Sequence, residues 1–203
     1  MINIIENSLK RSISYSEYRK LVTDLLAEGK STGENQTDDL LNYSKLNNSR
    51  MKRLDKTFKL SENFEKTIQN STKKYNWIVL TESWCGDAAH ALPVINKITE
   101  NSDNIELKIV LRDENEALMD NFLTNGSKSI PKLIAIDADT KEVLNSWGPR
   151  PSEVAKMVQD QKEKFGALDA DFKKELQVWY NTNKGANIEK DIIELLCVTA
   201  DCV

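Results

Sequence analysis

Hydrophobic residues recur at helical spacing in the first third and at the end of the chain, whereas short β-branched runs alternate with helical stripes between them. Ser14-x-x-Glu17 is a capping box, which predicts a helix that ends before Gly29. Thr37 is expected to begin a second helix and Ser61 a third. The first third is therefore predicted to be helical.

The middle of the chain alternates strands with helices. The predicted strands are Trp77–Thr81, Glu106–Leu111, Lys132–Asp137 and Glu142–Trp147, and the last two form an antiparallel hairpin. Asp113-x-x-Glu116 predicts a capped helix that ends at Gly126. Another helix is expected from Pro151 or Ser152, with Phe165 among its inward residues. This order predicts a mixed sheet with helices on both faces.

After the sheet, the pattern predicts a helix that carries Phe172, Leu176 and Trp179, a break at Gly185, and a short apolar helix that ends near Cys197. The fold class is therefore α/β. The predicted divisions are an N-terminal helical extension at 1–75, a mixed-sheet domain at 76–166, and a C-terminal helical extension packed on it at 167–203.

Composition narrows the functional classes. A net charge of −4 and a pI near 5.3 argue against a nucleic-acid or membrane-surface binder. The first 14 residues contain no apolar core of a signal peptide, and no run approaches a membrane span. Three cysteines, an odd number, do not make a secreted disulfide framework. We therefore expect a cytoplasmic protein.

The candidate chemistry centres on Cys85, within Trp84-Cys85-Gly86-Asp87-Ala88, because it lies where a strand ends and a helix begins. The unpaired N–H groups and the positive end of a helix dipole favour a thiolate at such a position. A free cysteine with a pKa of about 8.5 is only about 3% thiolate at pH 7. The position therefore predicts a reactive sulfur.

Three features together resemble the thioredoxin family over roughly residues 70–166. They are the Trp-Cys-Gly at the first strand–helix junction, Pro93 eight residues after Cys85, and Ser129-Ile130-Pro131 before the hairpin. The resemblance implies a thioredoxin-like fold and thiol–disulfide exchange. It also implies a cis Pro131 that faces the thiol and an Ile130 backbone that pairs with an extended substrate. The helices at both ends resemble a bacterial subgroup with a Trp-Cys-Gly-Asp motif.

The departures from the family pattern matter for mechanism. The second cysteine of the family is Ala88 here, so a mixed disulfide at Cys85 cannot be released by its neighbour. Asp87 replaces the family's proline; it complements the helix dipole, but its charge opposes a thiolate at Cys85. Two hypotheses follow. The first is monothiol exchange with protein disulfides or low-molecular-weight thiols. The alternative is a non-catalytic binding module that uses the groove beside Pro131.

Release of the mixed disulfide needs a second thiol. Cys202 and Cys197 are the candidate resolving thiols, although Cys197 also suits a buried structural role. Glutathione is a candidate co-substrate and would need a pocket with cationic groups. The sequence does not assign one, although Arg112, Lys128 and Lys132 lie on nearby loops or strand ends. No other cofactor and no metal site is predicted. The oligomeric state is not specified by the sequence.

Three further features have plain structural interpretations. His90 is the only histidine; it lies about 140° around the helix from Cys85 and is expected to be exposed. The segment Trp147–Pro151 is predicted to be a rigid turn. The second helix is basic around Arg50 and Arg53, which favours a solvated face over an anion or partner site.

Overall fold

The computed structural model describes residues 1–62, 64 and 73–199, with residues 197–199 described through their backbone. The helices in these ranges are α1 Ile2–Lys10, α2 Tyr15–Ala27, α3 Asp38–Thr57, α4 Gly86–Glu100, α5 Glu116–Met119, α6 Ser152–Phe165, α7 Ala170–Asn183 and α8 Ala186–Thr199. The strands are β1 Tyr75–Thr81, β2 Ile105–Leu111, β3 Lys132–Asp137 and β4 Val143–Trp147.

The four strands form one mixed sheet in the order β2-β1-β3-β4. Strand β1 pairs parallel with β2 and antiparallel with β3, so that Val79 stands between Ile109 and Leu133. Strand β4 pairs antiparallel with β3, which confirms the predicted hairpin. All seven residues of β1 are buried, as expected for a central strand with helices on both faces. The α/β fold class is confirmed.

The N-terminal helices pack along one edge and one face of this sheet. The Ser14–Glu17 capping box is present: the Ser14 hydroxyl accepts from the Glu17 amide at 3.2 Å, and the Glu17 carboxylate accepts from the Ser14 amide at 2.7 Å. Directly before it, Ile13 exchanges two backbone hydrogen bonds with Ile109. This single antiparallel bridge extends the sheet beyond β2.

Helix α3 packs against α4 and supports the loop that precedes Cys85. Its buried residues Ser44, Asn47, Met51 and Leu54 follow a helical spacing and form one face. The Asn47 amide donates to the Ser83 carbonyl at 2.9 Å, and the Ser44 and Ser83 hydroxyls lie 2.8 Å apart. Helix α3 therefore contacts the loop that leads directly to Cys85.

The C-terminal helices are tied to the end of the sheet through one buried carboxylate. Asp191 of α8 accepts from the Trp147 indole at 3.2 Å and from the Ser152 amide at 2.7 Å. Ile188 and Ile192 of the same helix are fully buried. These contacts fix α8 beside the turn between β4 and α6.

The predicted capping box at Asp113 is wrong. Helix α5 begins at Glu116, after Asn115, and ends at Met119. The Asp113 carboxylate instead accepts from the Arg112 guanidinium at 2.8 Å, so it does not cap a helix. The four-residue helix is therefore much shorter than the pattern indicated.

The structure corrects the prediction for Phe165 and leaves the predicted third helix mostly outside its described residues. Phe165 is 70% exposed and not inward, because it lies in the last turn of α6, directly before the left-handed Gly166. The predicted third helix, capped by Ser61 and carrying Phe64 and Ile68, falls mostly on residues 63 and 65–72, which lie outside the described residues.

Gly148, in the turn after β4, packs against the loop that contains Pro131, and a substitution at this glycine tests that contact. Gly148 has a φ of +111°, and a Cβ added there would lie 2.2 Å from the Pro131 carbonyl oxygen. We expect Gly148→Ala to lower the free energy of unfolding in urea by about 3 kcal/mol or more. Gly29→Ala is the control: its φ is +73°, but its Cβ would meet nothing within 4 Å. It should lose only about 1 kcal/mol, and equal losses would contradict the prediction.

Candidate functional site

Cys85 is the N-cap residue of α4, at the junction that follows β1. Its sulfur accepts the Ala88 N–H at 3.4 Å, as an N-cap side chain does. The thiol also lies 3.2 Å from the Ile130 carbonyl oxygen, to which it donates. Only 9% of the residue is exposed. The thiol is therefore held between the helix N-terminus and the Ile130 loop.

The loop that faces the thiol contains a cis peptide bond between Ile130 and Pro131. Both residues are buried, and the Ile130 carbonyl is engaged by Cys85. A second cis bond joins Gly148 to Pro149 in the neighbouring turn. Ala88, at the position of the family's second cysteine, is 1% exposed and lies in the first turn of α4.

The residues before Cys85 form a buried polar cluster that sequence reasoning missed. Glu82 is fully buried, and its carboxylate accepts from the Asp113 amide at 3.1 Å. Burial raises the pKa of Glu82, while a hydrogen bond from Thr32 and that from the Asp113 amide oppose this shift. The Thr32 hydroxyl accepts from the Ser83 amide at 2.8 Å. These hydrogen bonds hold the segment of the chain that directly precedes Cys85.

Asp87 links three distant parts of the chain. One carboxylate oxygen lies 2.8 Å from Arg150 Nε, and the other accepts from the Tyr180 hydroxyl at 2.9 Å. Burial raises the pKa of Asp87, and the charge of Arg150 opposes this shift. Burial, followed by the charge of Asp87, raises the pKa of Tyr180 well above its ordinary value. Tyr180 therefore remains a hydrogen-bond donor.

The electrostatics of Cys85 favour the neutral thiol. Burial and then the charge of Asp87 raise the pKa of Cys85 to about 12. The Ala88 and Asp87 amides and the charge of Arg150 oppose this shift. The helix N-terminus thus acts as the sequence indicated, but burial outweighs it, and the thiol is protonated near pH 7.

The prediction that His90 is exposed is wrong. His90 is 3% exposed and stacks on Tyr180, with ring centroids 4.2 Å apart and planes within 2°. Its Nε2 lies 3.0 Å from the Gln177 amide nitrogen, which can only donate, so the imidazole accepts there and is neutral. The sequence pattern of α4 alone does not show that α7 covers this face.

The three cations on the loops and strand ends near Cys85 make other contacts in the structure. The guanidinium carbon of Arg112 lies 4.8 Å from the centroid of the Trp84 ring, and its Nη2 pairs with Asp113 at 2.8 Å. Lys128 pairs with two carboxylates of the α5 region. Lys132 is buried, with its amine 3.4 Å from the Gly148 carbonyl. Trp84 itself is half-buried beside the thiol.

A different set of cations surrounds a cavity of about 370 Å³ next to the motif. Its walls come from α3, the N-terminal turn of α4, the turn after β4 and α7, and they include Arg50, Arg150 and Lys173. The basic run on α3 was the available signal for Arg50. The sequence predicted only a turn for the segment that contains Arg150, so no pattern indicated a role for this residue in a site.

The candidate resolving thiols are not placed by the structure. Cys197 lies in α8, but its side chain is outside the described part of the molecule, and Cys202 is outside the described residues altogether. Within the described part, no helix is long and apolar enough to cross a membrane.

Comparison with known proteins identifies the family. A family model described as Thioredoxin matches residues 33–164, more than half of the chain. The chain belongs to the thioredoxin family. The matched range includes α3 as well as the sheet. A search of curated proteins finds no match.

Two solved structures share the fold. One is a protein of unknown function from Pseudomonas aeruginosa, with a TM-score of 0.56 and 17% identity, covering 91% of this chain and 97% of that one. The other is an HIV epitope scaffold, with a TM-score of 0.54 and 17% identity, covering 91% of this chain and 98% of that one. At this identity the likeness shows the fold alone.

The buried histidine predicts a specific pH dependence. Burial, and then the charge of Arg50, lower the pKa of His90 to about 3. The unfolded chain therefore takes up the proton first as the pH falls. The stability that neutral His90 contributes is fully present above about pH 6.5 and is lost progressively toward pH 3. This group alone should remove about 2 kcal/mol between pH 7 and pH 5.

The variant His90→Phe keeps a ring against Tyr180 but does not titrate. Its unfolding free energy should fall less than that of the wild type between pH 7 and pH 5. In the wild type, the NMR signals of the only imidazole should not shift over this range. Titration of these signals near pH 6.5 would contradict the prediction.

The charges around Cys85 predict opposite effects of two substitutions. Asp87→Asn removes a charge that raises the pKa of Cys85, whereas Arg150→Gln removes one that lowers it. In a protein with Cys197 and Cys202 changed to serine, we expect Asp87→Asn to speed alkylation by iodoacetamide near pH 8 by about tenfold, and Arg150→Gln to slow it by about threefold. Acceleration by both substitutions would indicate local opening and would contradict this account.

Proposed function

We propose that this thioredoxin-family protein performs thiol–disulfide exchange through Cys85, with protein disulfides or low-molecular-weight thiols as partners in the cytoplasm. The observation that carries the proposal is the position of the thiol, 3.2 Å from the Ile130 carbonyl at the Ile130–Pro131 loop. An extended segment that pairs with this backbone would present its disulfide to Cys85.

Thiol–disulfide exchange needs no added oxidant, because one disulfide bond breaks for each one that forms. The Cys85 sulfur attacks one sulfur of the substrate disulfide; a Cys85–substrate disulfide forms, the substrate S–S bond breaks, and the Cys85 proton passes to the departing thiolate. A second thiol then attacks the mixed disulfide and restores Cys85. Glutathione, Cys202 or Cys197 would supply that thiol, because Ala88 offers none.

The neutral state of the thiol sets the conditions for this reaction. With a pKa of about 12, Cys85 is protonated near pH 7, so its attack is slow unless the substrate changes its surroundings. A substrate that pairs with the Ile130 backbone would break the hydrogen bond from Cys85 to the Ile130 carbonyl. We propose that this displacement exposes the sulfur and starts the exchange.

The same burial favours a second candidate function. Cys85 is 9% exposed, donates to Ile130, and lies close to the negative charge of Asp87. A protein in which this thiol never turns over would use the groove beside Pro131 as a binding module for an extended partner segment. The two candidates differ in whether Cys85 forms a covalent adduct.

Glutathione disulfide provides the test. Incubation of the Cys197→Ser, Cys202→Ser protein near pH 8 should give one glutathione adduct by intact mass, mapped to Cys85 and removed by excess glutathione. The control with Cys85→Ser in the same background should give none. An adduct that forms only after unfolding in urea would overturn the exchange proposal and favour the binding module.

A further inference from the structure

The cavity beside the motif has the size of a small-molecule site. Its volume of about 370 Å³ lies in the range of ligand pockets. Residues from α3, the first turn of α4, the turn after β4 and α7 line it. Cys85 is not among its described lining residues, so an inference about this cavity does not rest on the thiol chemistry.

Arg50 is the charged group whose surroundings point to a ligand. Its guanidinium is half-buried and donates to the Asn47 side chain at 2.8 Å, and among the described residues it has no carboxylate partner. A Cβ placed on Gly86 would lie 3.7 Å from Arg50 Nη1, so this cation lies over the first turn of α4. Arg50 therefore adds a positive charge beside the N-terminal end of α4, where the acidic residue of the first turn, Asp87, is paired with Arg150.

The other charges of the cavity do not correct this imbalance. Arg150 already pairs with Asp87, and the second oxygen of Asp87 accepts from Tyr180, so that carboxylate is engaged. Lys173 is exposed and forms no ion pair with any described residue. Three cations and one engaged carboxylate thus line a single cavity in a chain whose net charge is −4.

The remaining lining is largely apolar. Tyr43 projects from α3 with half of its surface exposed, although large aromatic residues are usually covered. Leu40 precedes it on the same helix, and Leu176 faces them from α7. Trp84 closes the side nearest to the motif. A ligand that binds here would bury an apolar surface against these residues as well as a charge against the arginines.

We propose that this cavity binds a small organic acid with an aromatic or branched apolar body. Its carboxylate would lie between Arg50 and Arg150, and its body would pack against Tyr43 and Leu176. Guanidinium groups bind a carboxylate through two parallel hydrogen bonds, and burial strengthens that pairing. The ligand would supply the carboxylate partner that Arg50 lacks among the described residues.

Calorimetric titration of the full chain with 2-naphthoate tests the proposal, with 2-naphthamide as the matched neutral probe. We expect naphthoate to bind at least about tenfold more tightly than naphthamide, a difference of about 1.4 kcal/mol. Arg50→Gln should weaken naphthoate binding at least about fivefold and leave naphthamide unchanged. The control is Lys52→Gln, which removes a charge from an exposed position of the same helix, outside the cavity. It should bind as the wild type does.

Other outcomes would overturn the proposal. Equal binding of the two probes, or naphthoate binding that Arg50→Gln leaves unchanged in a protein with the wild-type melting temperature, would exclude the carboxylate site. If inorganic phosphate displaced naphthoate at equal concentration, the cavity would be a general anion site, and the proposed apolar contact with the ligand would be excluded. If Arg50→Gln does not fold, Tyr43→Ala and Lys173→Gln take its place; the first tests the apolar contact and the second the charge. Unchanged naphthoate binding in both would count against the proposal.

Discussion

The shared carboxylate of Asp87 is the contact on which the candidate site depends. It joins the first turn of α4 to Arg150, in the turn after β4, and to Tyr180, which lies 93 residues further along the chain. A buried ion pair is weak evidence for stability, but removal of one partner leaves an uncompensated charge. The arrangement therefore fixes α7 over α4, and this cover in turn buries His90 and closes the cavity.

The same contact has an opposite consequence for the thiol. The helix N-terminus and Arg150 favour a Cys85 thiolate, whereas burial and the Asp87 charge favour the neutral form and prevail. A proline at this position, as in the family pattern, would carry no charge and could not hold Tyr180. Aspartate at this position therefore raises the pKa of the Cys85 thiol and, through Tyr180, links α4 to α7. In this chain, the neutral thiol donates a hydrogen bond to the Ile130 carbonyl.

Sequence patterns predicted the features that depend on neighbouring residues. The strands, the Ser14–Glu17 capping box and the helix after Cys85 all arise from spacing within one segment. His90 is buried by α7, whose Gln177 lies 87 residues further along the chain. The pattern of polar and apolar residues in α4 does not indicate this contact. The Asp113 pattern predicted the wrong start: the Asp113 carboxylate pairs with Arg112, and the helix begins three residues later, at Glu116.

The helices outside the sheet are therefore more than a cover for it. Arg50 from α3 and Lys173 from α7 line the same cavity as Gly86 in the first turn of α4, so this cavity depends on both helices. The sheet and α4 supply the thiol and the Ile130–Pro131 loop; α3 and α7 supply Arg50 and Lys173, and the turn after β4 supplies Arg150. Because Trp84 and Gly86 line the cavity while flanking Cys85 in sequence, an anion bound there would lie against the motif and would act on its electrostatics. A carboxylate at this position would add a second negative charge beside the thiol and favour its neutral form further.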